Sequence, residues 1–454
     1  MKAVETIKNI WKIEDLRTRI GITLLFVLVY RFGSFIVLPG IDPRALSTLS
    51  DQTSTGLMAL LDMFSGGAFS NASIFALGIM PYISASIVIQ LLSIAVPAFQ
   101  KLQKEGESGR KKITQYTRYL TVFILLFQGP SYLVNLKIQI SQAVQTAAQR
   151  GEFLADMSGD FWFIASSVIL LCAGSMFVMW LGERITDKGI GNGISFIIMV
   201  GIIARFPSAV IQEFTFSLTD PAGGGLIKFI ITIIVLLVVI AGAIMLVQGV
   251  RKVPVQYAKR VVGGKQYGGV RQYIPLKVNA AGVMPIIFAQ ALMFIPLAVA
   301  PMFTQGEQPG PVLMAFMDNH GFWYSLVFAA LIIAFTYFYT AITINPTQMA
   351  EDMKRNGGFI PGIKPGKPTA EYLDIIMSRI TFPGSIFLAI IAVLPSTANF
   401  FGVSIHFAQF FGGTSLLILV GVVLDTLQQV ESHLLMRHYD GLLKSGRIKG
   451  RTGA

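Results

Sequence analysis

The sequence predicts an all-α membrane protein whose ten transmembrane helices form two related halves. Three observations indicate this fold class: an apolar composition, ten separate apolar runs, and motifs that recur in both halves. Hydrophobic residues make up 53% of the 454 residues and charged residues only 13%, about half of their share in soluble proteins. The mean hydropathy is +0.64. We therefore expect one polytopic membrane domain.

The apolar runs are close to the roughly 20 residues with which a helix crosses a bilayer. They cover residues 20–38, 74–96, 119–136, 161–181, 194–212, 226–247, 278–300, 322–344, 380–395 and 412–428. The fifth run contains Arg205 and Pro207 near its end. The predicted halves are 1–212 and 213–430, each with five spans, followed by a tail at 431–454.

A short motif recurs at matching places in the two halves. Gly78–Pro81 (Gly-Ile-Met-Pro) returns 204 positions later as Gly282–Pro285 (Gly-Val-Met-Pro). A proline inside a helix removes one backbone hydrogen bond and costs about 3 kcal/mol. In lipid this is tolerated where the freed groups face protein or a water-filled cavity. Paired helix breaks in the two halves are therefore expected beside a transport path.

A second repeat supports the duplication. Its positions are Gly193, Ser195, Ile198, Val200 and Gly201 in the first half, and Gly413, Ser415, Ile418, Val420 and Gly421 in the second. Before the second span lies a small, glycine-rich half-segment, Ser65–Ala72. It is too short to cross a bilayer.

The N-terminal residues 4–19 place Ile7, Ile10, Trp11 and Leu16 on one helical face. This pattern predicts an amphipathic helix on an anionic membrane surface. The alternative is a polar N-terminal extension.

The distribution of Lys and Arg predicts the orientation. Of 36 such residues, 30 fall in the N-terminus, the tail and every second connection. The other six are Arg31, Arg44, Lys137, Arg150, Arg205 and Lys228. The positive-inside rule makes the rich side, with both termini, cytoplasmic.

Two cytoplasmic connections are too patterned to be plain loops. Residues 249–277 read as a β-hairpin, with a turn at Gly263-Gly264. Residues 346–379 begin with a short helix ended by Gly357-Gly358 and continue through a turn-rich stretch to Gly366. Basic loops with tyrosines suit an RNA surface or an acidic protein groove. The alternative is that these charges only set the topology.

Signatures of enzymes and pumps are missing from the sequence. The histidines have no HExxH spacing, and there is no Walker loop. Gly189–Gly193 lacks the spacing of a dinucleotide fingerprint. No charged residue is expected at the centre of a span, which counts against an ion-coupled transporter. We expect neither a catalytic nor a metal site, and no cofactor.

The motifs resemble the SecY family, the channel subunit of the bacterial Sec protein translocase. The resemblance rests on Met63–Ile87, Lys104–Arg110 and Gly189–Ser195 in the first half. In the second half it rests on Tyr257–Arg260, Pro275–Asn279, Phe359–Gly366 and Phe411–Leu417. It covers roughly residues 14–450.

The resemblance implies an hourglass pore closed from outside by a short plug helix. The plug corresponds to Ser65, Gly66, Gly67, Ala68, Phe69, Ser70, Asn71 and Ala72. The pore ring corresponds to Ile83, Ile87, Ile194, Ile198, Met284 and Ile418. Met284 stands where a branched aliphatic residue is common, which makes that part of the ring softer.

A lateral gate is implied between the second and seventh spans, through which signal sequences and nascent membrane helices enter the membrane lipids. Its residues correspond to Pro81, Ser86, Gln90, Gln128, Pro285 and Gln290. The implied partners are the SecE and SecG subunits, the SecA ATPase and the ribosome.

Docking of SecA and the ribosome is implied at Arg251, Lys252, Lys259, Arg260 and Lys364. Lys364 stands where arginine is common, so it supplies a point charge rather than a bidentate fork. The expected function is a passive protein-conducting channel in the bacterial inner membrane. The rival is a secondary transporter of an organic solute, which also uses duplicated halves with broken helices.

Overall fold

The fold is described from a computed structural model of the whole chain. The described residues are 13–39, 41, 62, 64–149, 161–219, 225–257, 260–262, 265–267, 271–290, 292–293 and 321–445. Residues 4–12 of the predicted N-terminal helix and residues 294–300 of the seventh run lie outside them, as does Lys259.

Helices dominate the described residues. In chain order they are α1 Glu14–Gly33, α2 Met80–Ala95, α3 Pro97–Lys104, α4 Glu107–Gln149, α5 Phe161–Lys188, α6 Gly193–Thr219, α7 Gly225–Gln248, α8 Phe322–Thr343, α9 Pro346–Arg355, α10 Lys367–Phe400, α11 Ile405–Ala408 and α12 Gly413–Ser445. Five short strands are β1 Val250–Tyr257, β2 Arg260–Val262, β3 Lys265–Tyr267, β4 Arg271–Lys277 and β5 Gly358–Phe359.

Six described helical stretches are long and apolar enough to cross a membrane. They are Trp162–Lys188, Gly193–Thr219, Gly225–Gln248, Phe322–Arg355, Lys367–Phe400 and Gly413–Leu434. Helices α2 and α3, which meet at a bend of 102°, make a seventh if they count as one span. The helical membrane fold is thus confirmed, and these stretches are consistent with ten spans.

The chain separates into two compact units. One contains residues 1–207 and 422–454, and the other contains residues 208–421. Helices α6 and α12 each cross a boundary between the units. The first unit also contains residues 422–430, which the sequence analysis assigned to the second half.

In the first unit, a buried apolar cluster joins residues just after α1 and just before α2 to side chains of α4 and α5. Leu38, Phe69 and Leu171 belong to it, together with Tyr132 of α4. Each is less than a tenth exposed. An isolated bridge joins Val37 to Ser73 and closes the segment against the end of α1.

The second unit contains the predicted hairpin. Strands β1 and β4 pair antiparallel from Val250↔Lys277 to Gln256↔Arg271, and β2 pairs with β3 beyond them. The short helix is also confirmed as α9, with Asn345 accepting hydrogen bonds from the amides of Thr347 and Gln348. A side-chain cap of this kind satisfies amides that a helix start leaves unpaired.

The two Gly-x-Met-Pro motifs begin helices instead of breaking them. Gly78 and Gly282 have φ of +52° and +63°, where glycine avoids the steric cost of a Cβ. Helix α2 starts at Met80, and residues 284–290 are helical. A proline in a first turn lacks an N–H that would have no helical partner. The helix break expected near the start of the second span, and again inside the seventh run, is thus the start of a helix in both places, after a glycine with positive φ.

Helix α6 is longer than the fifth run predicted. It continues to Thr219, so Arg205 is the thirteenth of its 27 residues. The helix passes through Pro207 without ending. The expectation of a charge-free helix centre is therefore wrong for α6, because Arg205 was expected near the end of the span.

Candidate functional site

The glycine-rich segment Ser65–Ala72 is buried almost throughout. Only Asn71 is partly exposed, and Ala68 and Ala72 are fully covered. The predicted plug helix is absent here, because the residues from Gly66 to Ala72 form hydrogen-bonded turns. Positive φ angles at Gly66, Gly67 and Ala72 are incompatible with a continuous α-helix.

Short hydrogen bonds within the segment hold these turns. The Gly67 amide donates to the Asp62 carbonyl oxygen over 2.9 Å, and the Phe69 amide donates to Ser65 Oγ over 3.0 Å. The Ser70 amide donates to Asp62 Oδ1 over 2.8 Å. The buried backbone is thereby paired, as a buried turn requires.

Side chains of two neighbouring helices donate hydrogen bonds to the main chain of the segment. From α1, Tyr30 Oη donates to the Ser65 carbonyl oxygen over 3.0 Å, and Arg31 donates to that of Gly66 over 2.8 Å. From α4, Tyr132 Oη donates to the Phe69 carbonyl oxygen over 2.9 Å. These contacts fix the position of the segment within the first unit.

Helix α6 is the third helix that contacts the segment. Arg205 forms an ion pair with Asp62 and donates to Ser70 Oγ over 2.8 Å. Asp62 is 4% exposed. One turn before Arg205, a Cβ on Gly201 would lie 2.9 Å from the Phe64 carbonyl oxygen. Only a residue without a side chain allows the segment this close to the helix.

The predicted pore-ring residues are distributed over both units. Ile83, Ile87, Ile194 and Ile198 belong to the first unit; Met284 and Ile418 belong to the second. Ile87, Ile198 and Ile418 are less than a tenth exposed, and the other three are half-buried. A ring composed of all six residues stays a prediction.

The predicted gate residues lie on α2, on α4 and in the helical residues 284–290. Pro81 and Pro285 are buried, Ser86 and Gln290 are half-buried, and Gln90 and Gln128 are exposed. The Ile83 amide donates to the Ile79 carbonyl oxygen, and at the repeated position the Ile287 amide donates to that of Val283. The repeat thus extends to the hydrogen bonds of the first helical turn.

The basic hairpin rests on an apolar base in the second unit. Val253, Val255 and Leu276 of β1 and β4 are at most 3% exposed. They pack with side chains of α9 and α10, including Met353 and Leu373. The sheet is thereby anchored, and Tyr257 and Ile274 pack partly buried against the same cluster.

Of the predicted docking residues, Arg251, Lys252 and Lys364 are exposed. Arg260 is the first residue of β2. The Lys364 carbonyl oxygen accepts a hydrogen bond from Thr369 Oγ1 over 2.8 Å, which ties the turn-rich stretch to the start of α10.

Sequence reasoning missed the residues that hold the segment. Tyr30, Arg31, Tyr132 and the pair Asp62–Arg205 were not predicted as site residues. The available signal was Arg205 itself, because a charged residue inside an apolar run calls for a partner. It was interpreted as a sign of a span boundary instead.

Comparison with known proteins agrees with this architecture. A family model described as SecY matches residues 73–427. The protein translocase subunit SecY of Streptomyces scabiei is 44% identical over 442 residues, covering 96% of this chain and 98% of that protein. The corresponding subunit of Thermotoga maritima is 40% identical over 452 residues, covering 98% and 99%.

Solved structures show the same fold. A protein conducting channel matches with a TM-score of 0.60 at 17% identity, covering 96% of this chain and 95% of that chain. Canine Sec61 in a ribosome–channel complex matches with a TM-score of 0.56 at 16% identity, covering 96% and 95%. The chain is thus a multi-pass membrane protein with the fold of protein-conducting channels.

The chain belongs to the SecY family of protein translocase subunits. The matched family is that of a channel component rather than of an enzyme. The rival interpretation, a secondary transporter of an organic solute, is not favoured.

Proposed function

We propose that this chain is the central channel of a bacterial Sec translocase. It passes unfolded secretory proteins across the inner membrane and releases membrane helices sideways into lipid. Both termini lie in the cytoplasm, and the partners are SecE, SecG, the SecA ATPase and the ribosome. The observation that carries this proposal is the identity of more than 40% with a translocase subunit over nearly the whole chain.

The channel is closed at rest by two devices in series. One is a ring of apolar side chains, Ile83, Ile87, Ile194, Ile198, Met284 and Ile418, which keeps the waist free of water. The other is a plug formed by Ser65–Ala72. The burial of this segment and its hydrogen bonds to α1 and α4 support the second device.

The lateral gate lies between the second and seventh spans. The shared conformation of Gly78–Pro81 and Gly282–Pro285 supports this assignment, because duplicated halves are expected to move about equivalent helix starts. The gate residues in this proposal are Pro81, Ser86, Gln90 and Gln128 in the first half, and Pro285 and Gln290 in the second.

An export assay tests the channel itself. The full chain, purified with the small subunits that accompany it, is reconstituted into proteoliposomes with SecA, ATP and a preprotein. We expect the preprotein to become protected from protease only when SecA and ATP are present. Protection that does not depend on the chain, or none under any condition, would contradict the proposed function.

SecA and the ribosome dock on the two basic loops, residues 249–277 and 346–379, the second of which contains Lys364. Reversing Arg251, Lys252, Lys259 and Arg260 to Glu is expected to weaken both interactions, and the loss should be largest at low salt, where charges are least screened. The apolar base of the sheet is untouched, so the purified channel should assemble normally. Unchanged binding of SecA and ribosomes would overturn the docking assignment.

A further inference from the structure

The ion pair of Arg205 and Asp62 is part of a closed cycle of contacts among three polar residues. Arg205 pairs with one oxygen of Asp62, and the Ser70 amide donates to the other oxygen over 2.8 Å. Ser70 Oγ then accepts from Arg205 Nη2 over 2.8 Å. Each member therefore touches the other two, and the cycle links α6 to Ser70 of the plug segment and to Asp62, which lies three residues before it.

The cycle lies on the same face of α6 as two predicted ring residues. Ile194, Ile198, Gly201 and Arg205 follow one another at spacings of four, three and four residues. Such spacings place side chains along one helical face. Gly201 receives the backbone of the segment, since a Cβ on Gly66 would lie 2.7 Å from Gly201 Cα.

The strength of this pair depends on water. The attraction between two charges falls in proportion to the local dielectric constant, so it is strong in a dry site and weak in a wet one. Removing one partner leaves a buried charge without compensation, which is more costly than removing both. Asp62 is 4% exposed, whereas the side chain of Arg205 is 30% exposed. The carboxylate is therefore the buried partner, and the attraction weakens once water reaches it.

We propose that Arg205 is a positioning residue that latches the plug segment onto α6 through Asp62 and Ser70. The resting channel stays closed because the pair must be hydrated before the segment can leave. This inference rests on the proposed function, because it assigns a closing role to a segment of the channel.

Two neutral variants, Arg205→Gln and Asp62→Asn, test the latch in the full complex reconstituted in planar bilayers. We expect the resting conductance to rise about tenfold or more in each. Loss of the ion pair removes free energy that stabilises the closed channel, so the equilibrium between closed and open channels shifts towards the open state. The matched control is Arg118→Gln. Arg118 forms an ion pair with Glu183, at 2.6 Å between Nη2 and Oε2; this pair joins α4 to α5 and is more exposed than the Arg205–Asp62 pair. Its loss should leave the resting conductance at the parent value.

Hydrogen exchange of the same complexes separates a latch from a general loss of stability. In the latch variants, exchange should accelerate in peptides that cover residues 62–73 and remain at parent values in α5 and α10. Acceleration throughout the chain would overturn the proposal.

The double variant provides a further test. If both residues act through one pair, the double variant should leak no more than either single variant, since it leaves no charge without its partner and coupled effects do not add. Effects that multiply would show that Arg205 and Asp62 act independently, and would overturn the latch.

The export assay distinguishes a failure of the latch from a failure of the proposed channel function. If the parent exports preprotein and both single variants remain as tight as the parent, the latch is wrong and the channel function stands. If the parent exports nothing, the channel function is wrong, and the exchange experiment still decides whether Arg205 holds the segment.

Discussion

A single methyl group at Gly201 should loosen the closed channel. In Gly201→Ala the new Cβ would lie 2.9 Å from the Phe64 carbonyl oxygen and 3.2 Å from the Gly66 nitrogen. Both are main-chain atoms, so no change of rotamer relieves the contact. Overpacking of this kind costs about 1–3 kcal/mol, which corresponds to a shift of about 5- to 150-fold in an equilibrium between closed and open states.

The repeat supplies a matched control for this substitution. Gly421 occupies the equivalent position in the second half, and a Cβ there would meet nothing within 4 Å. Because alanine favours a helix over glycine by about 1 kcal/mol, Gly421→Ala should leave the channel as tight as the parent and its assembly slightly more stable. Planar-bilayer conductance of the two purified variant complexes measures how tightly each channel is closed. Equal resting conductance in Gly201→Ala and Gly421→Ala would refute the steric argument.

Two further predictions concern the gate and the ring. In the double variant Ser86→Cys, Gln290→Cys, a short crosslinker should join the second and seventh spans and block export. Cleavage of the crosslinker should restore export. Normal export by the crosslinked channel would place the gate elsewhere. Changing Ile83, Ile198 and Ile418 to Ser should let ions leak while assembly stays intact. If these residues only pack helices, the same triple variant should instead lose stability by roughly 2–5 kcal/mol per site and show no leak while assembled.

Much of the architecture could be predicted because it depends on local pattern. The hairpin of β1 and β4 and the capped start of α9 at Asn345 follow from turn and cap residues that act within a few positions. The six membrane stretches follow from apolar length alone. The glycine conformations at Gly78 and Gly282 were not predicted in detail, but the repeat identified the right positions.

The remaining features depend on contacts distant in sequence. Asp62 and Arg205 are 143 positions apart in the chain, and no local pattern indicates that they meet. An arginine without a partner is least costly at the membrane surface, so Arg205 was expected near the end of its span. The turns of Gly66–Ala72 are likewise stabilised by Tyr30 and Tyr132 from other helices, so their departure from a helix could not be read locally.

The contacts of Ser65–Ala72 fit the proposal of a plug that is firmly held and yet able to leave. Three of its anchors, Tyr30, Arg31 and Tyr132, donate to main-chain oxygens of the segment. Such bonds depend on the path of the backbone and not on the side chains that the segment carries. Each contributes about 1 kcal/mol net, because water replaces it on opening. The contacts of Arg205, by contrast, depend on side chains, those of Asp62 and Ser70. Substitutions at the anchors should therefore disturb closure more than substitutions at Asn71, whose side chain is partly exposed.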